Sequence, residues 1–199
     1  ALLLQGIAVV VTDYDGLGTP GHHTYVNRAA EAYAVLDSVR AALNLPGTSL
    51  TPDSPVGLYG YSQGGGASGA AAELAPTYAP ELNLKGAYVG APPADLLATL
   101  KQIDGTLLTG AVGYTINGLI EAYPEIRSEV EAEINDRGRA MLAAVANQCV
   151  PETVATVAFQ RTEDFTRTGE PLDVVVGRLP QVQKAIDEQR IGRLTPQIP

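Results

Sequence analysis

The stretch "SPVGLYGYSQGGGASGAAAELA", residues 54–75, decides the fold of this chain. An apolar run from Val56 to Tyr61 precedes Ser62, and a segment of glycines and alanines follows it. This pattern predicts a strand, a tight turn at the serine, and a helix from Gln63 to Leu74. The small side chains of that helix would let it pack close to a sheet, whereas a solvated helix would gain nothing from them.

Residues 60–64, Gly-Tyr-Ser-Gln-Gly, match the pattern Gly-x-Ser-x-Gly between a strand and a helix. A serine hydroxyl is a weak nucleophile unless a base and oxyanion-stabilising donors lie beside it. A sharp turn exposes the hydroxyl, strains the serine dihedrals and requires small residues at Gly60 and Gly64. The alternative is a hydroxyl in a flexible glycine-rich loop. The flanking strand and helix patterns favour Ser62 as a nucleophile.

Further strand and helix patterns surround this motif. The run "GIAVVVTDYDG", residues 6–16, predicts a strand buried on both faces, and "LNLKGAYVGAPP", residues 82–93, predicts another. Between the first strand and the serine motif, residues 24–43 predict a helix. Its expected buried stripe consists of Ala29, Tyr33, Leu36, Val39 and Leu43. Strand–helix–strand–helix–strand order predicts an α/β class fold with a doubly wound parallel sheet.

The pattern changes after Pro93, because residues 94–192 show helical periodicity and no convincing strand. We therefore predict a partial α/β core with the serine turn over residues 1–93, an inserted helical cap over 94–192, and the start of a return to the core over 193–199. The longest helical pattern, residues 124–147, has one expected apolar face. That face comprises Ile126, Val130, Ile134, Met141 and Val145.

Composition excludes several classes of function. The 199 residues carry a net charge of -9, which argues against nucleic-acid binding because phosphates require a basic surface. No metal-ligand cluster or cofactor motif is apparent, so neither a metal nor a cofactor is predicted. The single cysteine, Cys149, is either a buried free thiol, which we favour, or pairs with chain outside this sequence.

One rival motif overlaps the serine motif. Gly64-x-Gly66-x-x-Gly69 fits the dinucleotide-binding pattern Gly-x-Gly-x-x-Gly. That function needs an acidic residue at the end of the next strand to hold a ribose, but residues 90–92 are Gly-Ala-Pro. It would also leave Ser62 unexplained.

The chain resembles the secretory lipases, the family of fungal lipase A-like α/β-hydrolases. The resemblance rests on four stretches between residue 1 and about residue 97, and beyond them only the helical character matches. These stretches are "VVVTDYDGLG", "TYVNRAAEAYAVLDSVRAA", "VGLYGYSQGGGASGAAAELAPTYAPEL" and "LKGAYVGAPPADL". The resemblance implies an α/β-hydrolase core with an inserted helical lid, and Ser62 as the nucleophile.

The resemblance also implies an oxyanion hole built from the Gln63 backbone amide and the Asp13 side chain. A carboxyl group donates a hydrogen bond only when protonated, which requires burial and poor access to cations. Residues 7–11, as a strand, would deliver Asp13 to the carboxyl end of the sheet, where the serine turn would also lie. The alternative is that Asp13 and Asp15 only cap a loop. Gln63 departs from the glycine expected after the serine, although the backbone amide survives that change.

The base for the serine is not evident in the sequence. The only imidazoles are His22 and His23, upstream of Ser62, whereas α/β-hydrolases place the triad acid and histidine downstream. We expect these histidines to line the mouth of the site or to face solvent. We also expect the chain to be an interior piece of a longer hydrolase, whose Asp and His lie on the remainder of the polypeptide and are needed for activity.

The expected function is a secreted esterase or triacylglycerol lipase acting on acyl esters through an acyl-enzyme. Apolar residues 107–119 could shield an acyl-binding tunnel and meet a lipid interface, or could simply pack the cap. Secretion follows from the resemblance alone. The alternatives are an acyltransferase or non-lipid esterase with the same turn, or a non-catalytic binding module that kept the fold.

Overall fold

A small parallel sheet forms the centre of the first half of the chain. The computed structural model describes residues 2–199, and in these the strands are β1, Val56–Tyr61, and β2, Leu84–Gly90. They run parallel, with Leu58 opposite Ala87 and Tyr61 opposite Gly90. Parallel neighbours need a crossover connection, which is the helix α2, Gln63–Tyr78. The result is the strand–helix–strand unit that the serine motif predicts.

The helix α1, Arg28–Leu43, packs against α2 rather than directly on the sheet. It begins where the Asn27 side chain accepts a hydrogen bond from the Ala30 backbone amide at 2.9 Å, which caps the helix. The predicted start at residue 24 was therefore four residues early. Leu36 and Val39 are buried as predicted, but Ala32 replaces Tyr33 in the stripe, and the Tyr33 side chain is exposed. Small residues face α2 because they let the two helices approach closely.

The predicted first strand is wrong for residues 2–199. Residues 7–14 form no strand, and the side chains of Ile7, Val9, Val10 and Val11 are 45% to 87% exposed. A strand is defined by its hydrogen-bonded neighbour, and no described residue pairs with this segment. The other strands are also covered on one face only, since Tyr59, Tyr61 and Tyr88 on the opposite face are exposed. Within residues 2–199, the sheet therefore lacks the layer of helices on its second face that a doubly wound sheet has.

Helices dominate the second half of the chain, as the periodicity predicts. Their bounds are α3 Leu96–Ile103, α4 Ala111–Ala122, α5 Arg127–Glu133, α6 Asp136–Val145, α7 Val150–Val157, α8 Leu172–Val176 and α9 Pro180–Glu188. Short 3-10 helices occupy Leu3–Gln5, Pro124–Ile126 and Thr162–Phe165. None of the helices among residues 2–199 is long and apolar enough to cross a bilayer.

The helical half has its own apolar core. All five apolar residues predicted along residues 124–147 are buried within it. The helix itself is divided, because Ile134 is extended and forms an antiparallel bridge with Thr166. Asn135 then caps α6 by accepting a hydrogen bond from the Gly138 amide at 2.9 Å. Cys149, expected to be buried, is exposed because it precedes the first turn of α7 at the surface.

A buried ion pair ties the two halves together. The Glu73 carboxylate of α2 accepts a hydrogen bond from the Arg28 guanidinium at 2.5 Å and another from the Gly192 backbone amide at 2.5 Å. The Gln189 side chain adds a second link, because its oxygen accepts a hydrogen bond from the Arg28 amide at 2.9 Å. The Glu73 side chain is only 3% exposed. The chain after α9 is therefore fastened to both α1 and α2.

We predict that Glu73→Ala in the full-length protein lowers the free energy of unfolding by about 3 kcal/mol, because it leaves the Arg28 charge buried without its partner. Urea unfolding followed by circular dichroism measures this loss. The control is Glu81→Ala, which removes an exposed ion pair with Arg40 and should leave the unfolding midpoint nearly unchanged. Equal losses in the two variants would contradict a special role for the buried pair.

Candidate active site

Ser62 lies on a strained turn between β1 and α2. Its backbone has φ 55° and ψ -120°, outside the regions that ordinary residues occupy. Its amide donates to the Gly90 carbonyl at 2.9 Å, and its carbonyl accepts from the Gly66 amide at 3.0 Å. Such a conformation costs on the order of 1–3 kcal/mol and persists only where the surrounding structure enforces it. The side chain is exposed, so the hydroxyl projects clear of the sheet.

Close backbone approach explains two glycines around this serine. A Cβ on Gly60 would lie 1.8 Å from the Gly64 carbonyl oxygen, and a Cβ on Gly65 would lie 2.2 Å from the Gly90 carbonyl oxygen. A Cβ on Gly64, by contrast, would meet no atom within 4 Å. Positions 60 and 65 therefore require glycine. At position 64 only the backbone carbonyl takes part in the contact.

The glycine series of α2 serves packing, which disfavours dinucleotide binding. Gly64, Gly66 and Gly69 lie inside the helix rather than in a loop before it. A Cβ on Gly69 would lie 3.3 Å from the Val89 side chain and 3.2 Å from that of Ile191. Gly66 and Gly69 are small because this face of the helix contacts the chain at the end of β2 and the segment after α9.

We predict that alanine substitutions at Gly60 and Gly64, the two glycines of the serine motif, have different effects on stability. Gly60→Ala should lower the free energy of unfolding by about 1–3 kcal/mol, because its methyl group must displace the Gly64 carbonyl. Gly64→Ala should leave it unchanged or raise it by up to about 1 kcal/mol, because alanine favours the helix. Urea unfolding of the two variants gives the comparison. A larger loss in Gly64→Ala would show that the turn is assembled differently.

The N-terminus of α2 carries the backbone amide of Gln63, for which an oxyanion role is predicted. Gln63 is the first helical residue, and its backbone amide has no acceptor among residues 2–199. The first amides of a helix lack intrahelical partners, and the helix dipole favours negative charge there. The amide that follows the serine is thus available to an anion.

Asp13 is not brought into a buried position. Its side chain is exposed, and residues 7–14 lack the predicted strand that would deliver it to the end of the sheet. A carboxyl group that donates a hydrogen bond to an oxyanion needs a buried, apolar setting. Residues 2–199 do not provide that setting, so the oxyanion role of Asp13 stays a prediction.

The two histidines occupy different environments. His22 is exposed, whereas His23 is half-buried beside the serine turn. The Nε2 atom of His23 lies 2.8 Å from the Gln63 side-chain nitrogen, and its Nδ1 atom lies 3.0 Å from the Asp15 carbonyl oxygen. No hydrogen bond joins a histidine to the Ser62 hydroxyl in the part of the chain described. His23 therefore contacts the residue after the serine, a contact that spans 40 residues and left no local pattern in the sequence.

Glu31 is a buried carboxylate that no sequence pattern indicates as a functional residue. It is 2% exposed, and its Oε1 atom accepts hydrogen bonds from the Val26 amide at 2.9 Å and from the Gln63 side chain at 2.8 Å. Burial raises the pKa of Glu31 from 4.5 to about 7, although these two hydrogen bonds act in the opposite direction. Burial, and secondarily the charge of Glu31, raises the pKa of Tyr14 and of Tyr25 to about 12.

The raised pKa of Glu31 predicts a pH dependence of stability. Because the folded protein holds the proton more tightly than the unfolded chain, stability falls as pH rises from about 4.5 to about 7, by at most about 3 kcal/mol. Glu31→Gln removes this titration and should flatten the curve of unfolding free energy in that window. The control is Glu125→Gln at an exposed position, which should keep the wild-type slope. An unchanged slope in Glu31→Gln would contradict the burial effect.

An apolar cavity of about 90 Å³ lies between the helices and the loop before α1. The helical half contributes side chains such as Leu96, Val112 and Val176, and the loop contributes Tyr25 and Val26. Almost all of the lining is hydrocarbon, which suits an apolar guest. Among residues 2–199 no group of three or more His, Cys, Asp or Glu side chains could hold a metal ion.

Comparison with known proteins identifies the family of this chain. The family model described as "Secretory lipase" matches residues 1–199. The chain belongs to the secretory lipase family. It is 34% identical to a "Probable inactive lipase" of Mycobacterium tuberculosis, over 100% of this chain and 43% of that protein. It is also 34% identical to a secreted triacylglycerol lipase of Malassezia furfur, over 76% of this chain and 30% of that protein.

Solved structures share the fold. Candida antarctica lipase A in its closed state superposes with a TM-score of 0.71 and 29% identity, covering 88% of this chain and 41% of that one. A putative hydrolase of Legionella pneumophila has a TM-score of 0.81 over 98% of this chain and 54% of its own, at 16% identity. The fold is therefore that of an α/β-hydrolase, as the resemblance to the secretory lipases implies. The chain spans less than half the length of the two lipases from Mycobacterium tuberculosis and Malassezia furfur and of Candida antarctica lipase A.

Proposed function

We propose that this chain carries the nucleophile and the helical cap of a secreted serine ester hydrolase, of the triacylglycerol lipase or carboxylesterase class. The observation that carries the proposal is the Ser62 turn, where an exposed hydroxyl has φ 55° between a strand and a helix. Nucleophile elbows of α/β-hydrolases have this strand–turn–helix context. Secretion is supported by the secreted lipases among the relatives.

In the proposed reaction the Ser62 oxygen attacks the ester carbonyl, the ester C–O bond breaks, and the alcohol leaves with the proton taken from Ser62. Water then hydrolyses the acyl-enzyme, which releases the carboxylic acid and restores the Ser62 hydroxyl. The Gln63 backbone amide stabilises the oxyanion of each tetrahedral intermediate, with Asp13 as the proposed second donor. The base that accepts the Ser62 proton is expected from an Asp–His pair on the remainder of the polypeptide. His23 is poorly suited to this role because its Nε2 atom faces the Gln63 side chain.

The cap suggests where the acyl group binds. In the proposed organisation residues 1–93 form the core, residues 94–192 form the lid, and residues 193–199 return toward the core. The apolar cavity lies where the lid helices meet Tyr25 and Val26 of the core. A hydrocarbon lining there supports an acyl chain as the guest and a lid that could meet a lipid surface.

A second candidate is a non-catalytic protein that keeps the lipase fold. It is favoured by the identity of 34% to the "Probable inactive lipase" of Mycobacterium tuberculosis, which extends over the whole chain. Family membership alone does not separate the two candidates, because a fold can outlast its activity.

A fluorophosphonate probe on the full-length protein distinguishes them. We expect covalent labelling of the wild type and none in Ser62→Ala, because the probe reacts only with an activated serine. The control is Ser49→Ala at an exposed position, which should label like the wild type. A wild-type protein that does not label would favour the non-catalytic candidate. Labelling that persists in Ser62→Ala would place the nucleophile elsewhere.

A further inference from the structure

The Gln63 carboxamide is held from two sides by groups that the proposed mechanism does not use. Its nitrogen lies 2.8 Å from the Glu31 carboxylate and 2.8 Å from the His23 ring. We infer that Glu31 and His23 are positioning residues, which fix the Gln63 side chain and thereby aim its backbone amide at the oxyanion. This inference rests on the proposed function of Ser62.

The hydrogen bonds around the Gln63 carboxamide assign the protons at this site. A carboxamide nitrogen has two protons, so Gln63 donates one to Glu31 Oε1 and the other to His23 Nε2. Because Nε2 accepts, the ring proton of His23 is on Nδ1, where the Asp15 carbonyl lies 3.0 Å away to accept it. The two partners of His23 thus determine which of its ring nitrogens carries a proton.

This arrangement restrains the start of α2. The first residue of a helix lacks backbone hydrogen bonds to the preceding turn, so its orientation depends on outside contacts. Gln63 is that residue, and both of its anchors belong to residues 15–31. The elbow is therefore tied through His23 to the loop that precedes α1 and through Glu31 to the first turn of α1.

The same carboxylate oxygen also fixes the wall of the apolar cavity. Val26 has φ 55°, a strained conformation for a β-branched residue, and its amide donates to Glu31 Oε1 at 2.9 Å. Val26 and its neighbour Tyr25 line the cavity. Glu31 thus couples the position of the oxyanion amide to the shape of the proposed acyl site.

Kinetics of the full-length protein test the inference. Gln63→Met keeps the length of the side chain but removes both hydrogen bonds, and we expect kcat for a short-chain ester to fall about ten- to a hundredfold with KM nearly unchanged. His23→Asn keeps a donor near Asp15 but loses the acceptor at Nε2, so kcat should also fall. His23→Gln places an amide oxygen near the Nε2 position and should retain most of the activity. The control His22→Asn alters an exposed histidine and should have no effect.

Nitrogen-15 NMR of the histidine rings gives a readout that does not depend on activity. His23 should show a proton on Nδ1 in the wild type, and this tautomer preference should be lost in Gln63→Met. A proton on Nε2 in the wild type would overturn the inference. So would a kcat for Gln63→Met within about twofold of wild type when labelling still depends on Ser62. Labelling that persists in Ser62→Ala would instead refute the proposed function.

Discussion

The contact between the backbones of Gly60 and Gly64 is the constraint on which the elbow depends. A methyl group on Gly60 would lie 1.8 Å from the Gly64 carbonyl oxygen, so the first turn of α2 lies directly against the end of β1. The chain can reverse this tightly only if Ser62 takes a positive φ, which the Gly90 carbonyl supports by accepting the serine amide. The exposure of the hydroxyl and the direction of α2 both follow from this one approach.

Burial of the Glu31 carboxylate costs free energy, and the two segments that this residue orders explain why it is buried. A carboxylate that is 2% exposed loses most of its hydration, and this loss raises its pKa. Two hydrogen bonds, from Val26 and Gln63, offset part of the penalty. Buried titratable groups with perturbed pKa values concentrate near functional sites, because geometry there is held at the expense of stability. Glu31 fits this pattern through the two segments that it orders.

Local sequence patterns predicted the features that depend on near neighbours. The serine turn, the strand–helix–strand unit and the buried face of residues 124–147 all follow from spacing along the chain. The incorrect predictions concern contacts between residues that are far apart in the sequence. Residues 7–11 are apolar enough for a buried strand, but a strand also needs a neighbour that no local pattern reveals. The helical spacing predicts that Tyr33 lies in the core. It cannot show that α1 packs against an alanine-rich helix, where the small side chain of Ala32 fits instead. The contact of His23 with Gln63 is equally non-local.

Backbone strain is concentrated around the elbow. Among residues 2–199, Val26, Ser62, Ala91 and Phe159 are the non-glycine residues with positive φ, and the first three surround this site. Ala91 follows the carbonyl that receives the Ser62 amide, and Val26 is linked to Gln63 through Glu31. Each strained residue costs on the order of 1–3 kcal/mol, and a hydrogen bond to a charged group contributes about 1.5–3 kcal/mol. For Val26 these magnitudes are comparable, so the hydrogen bond that its amide donates to ionised Glu31 is strong enough to offset the strain of this residue, which Glu31 links to Gln63 beside the serine turn.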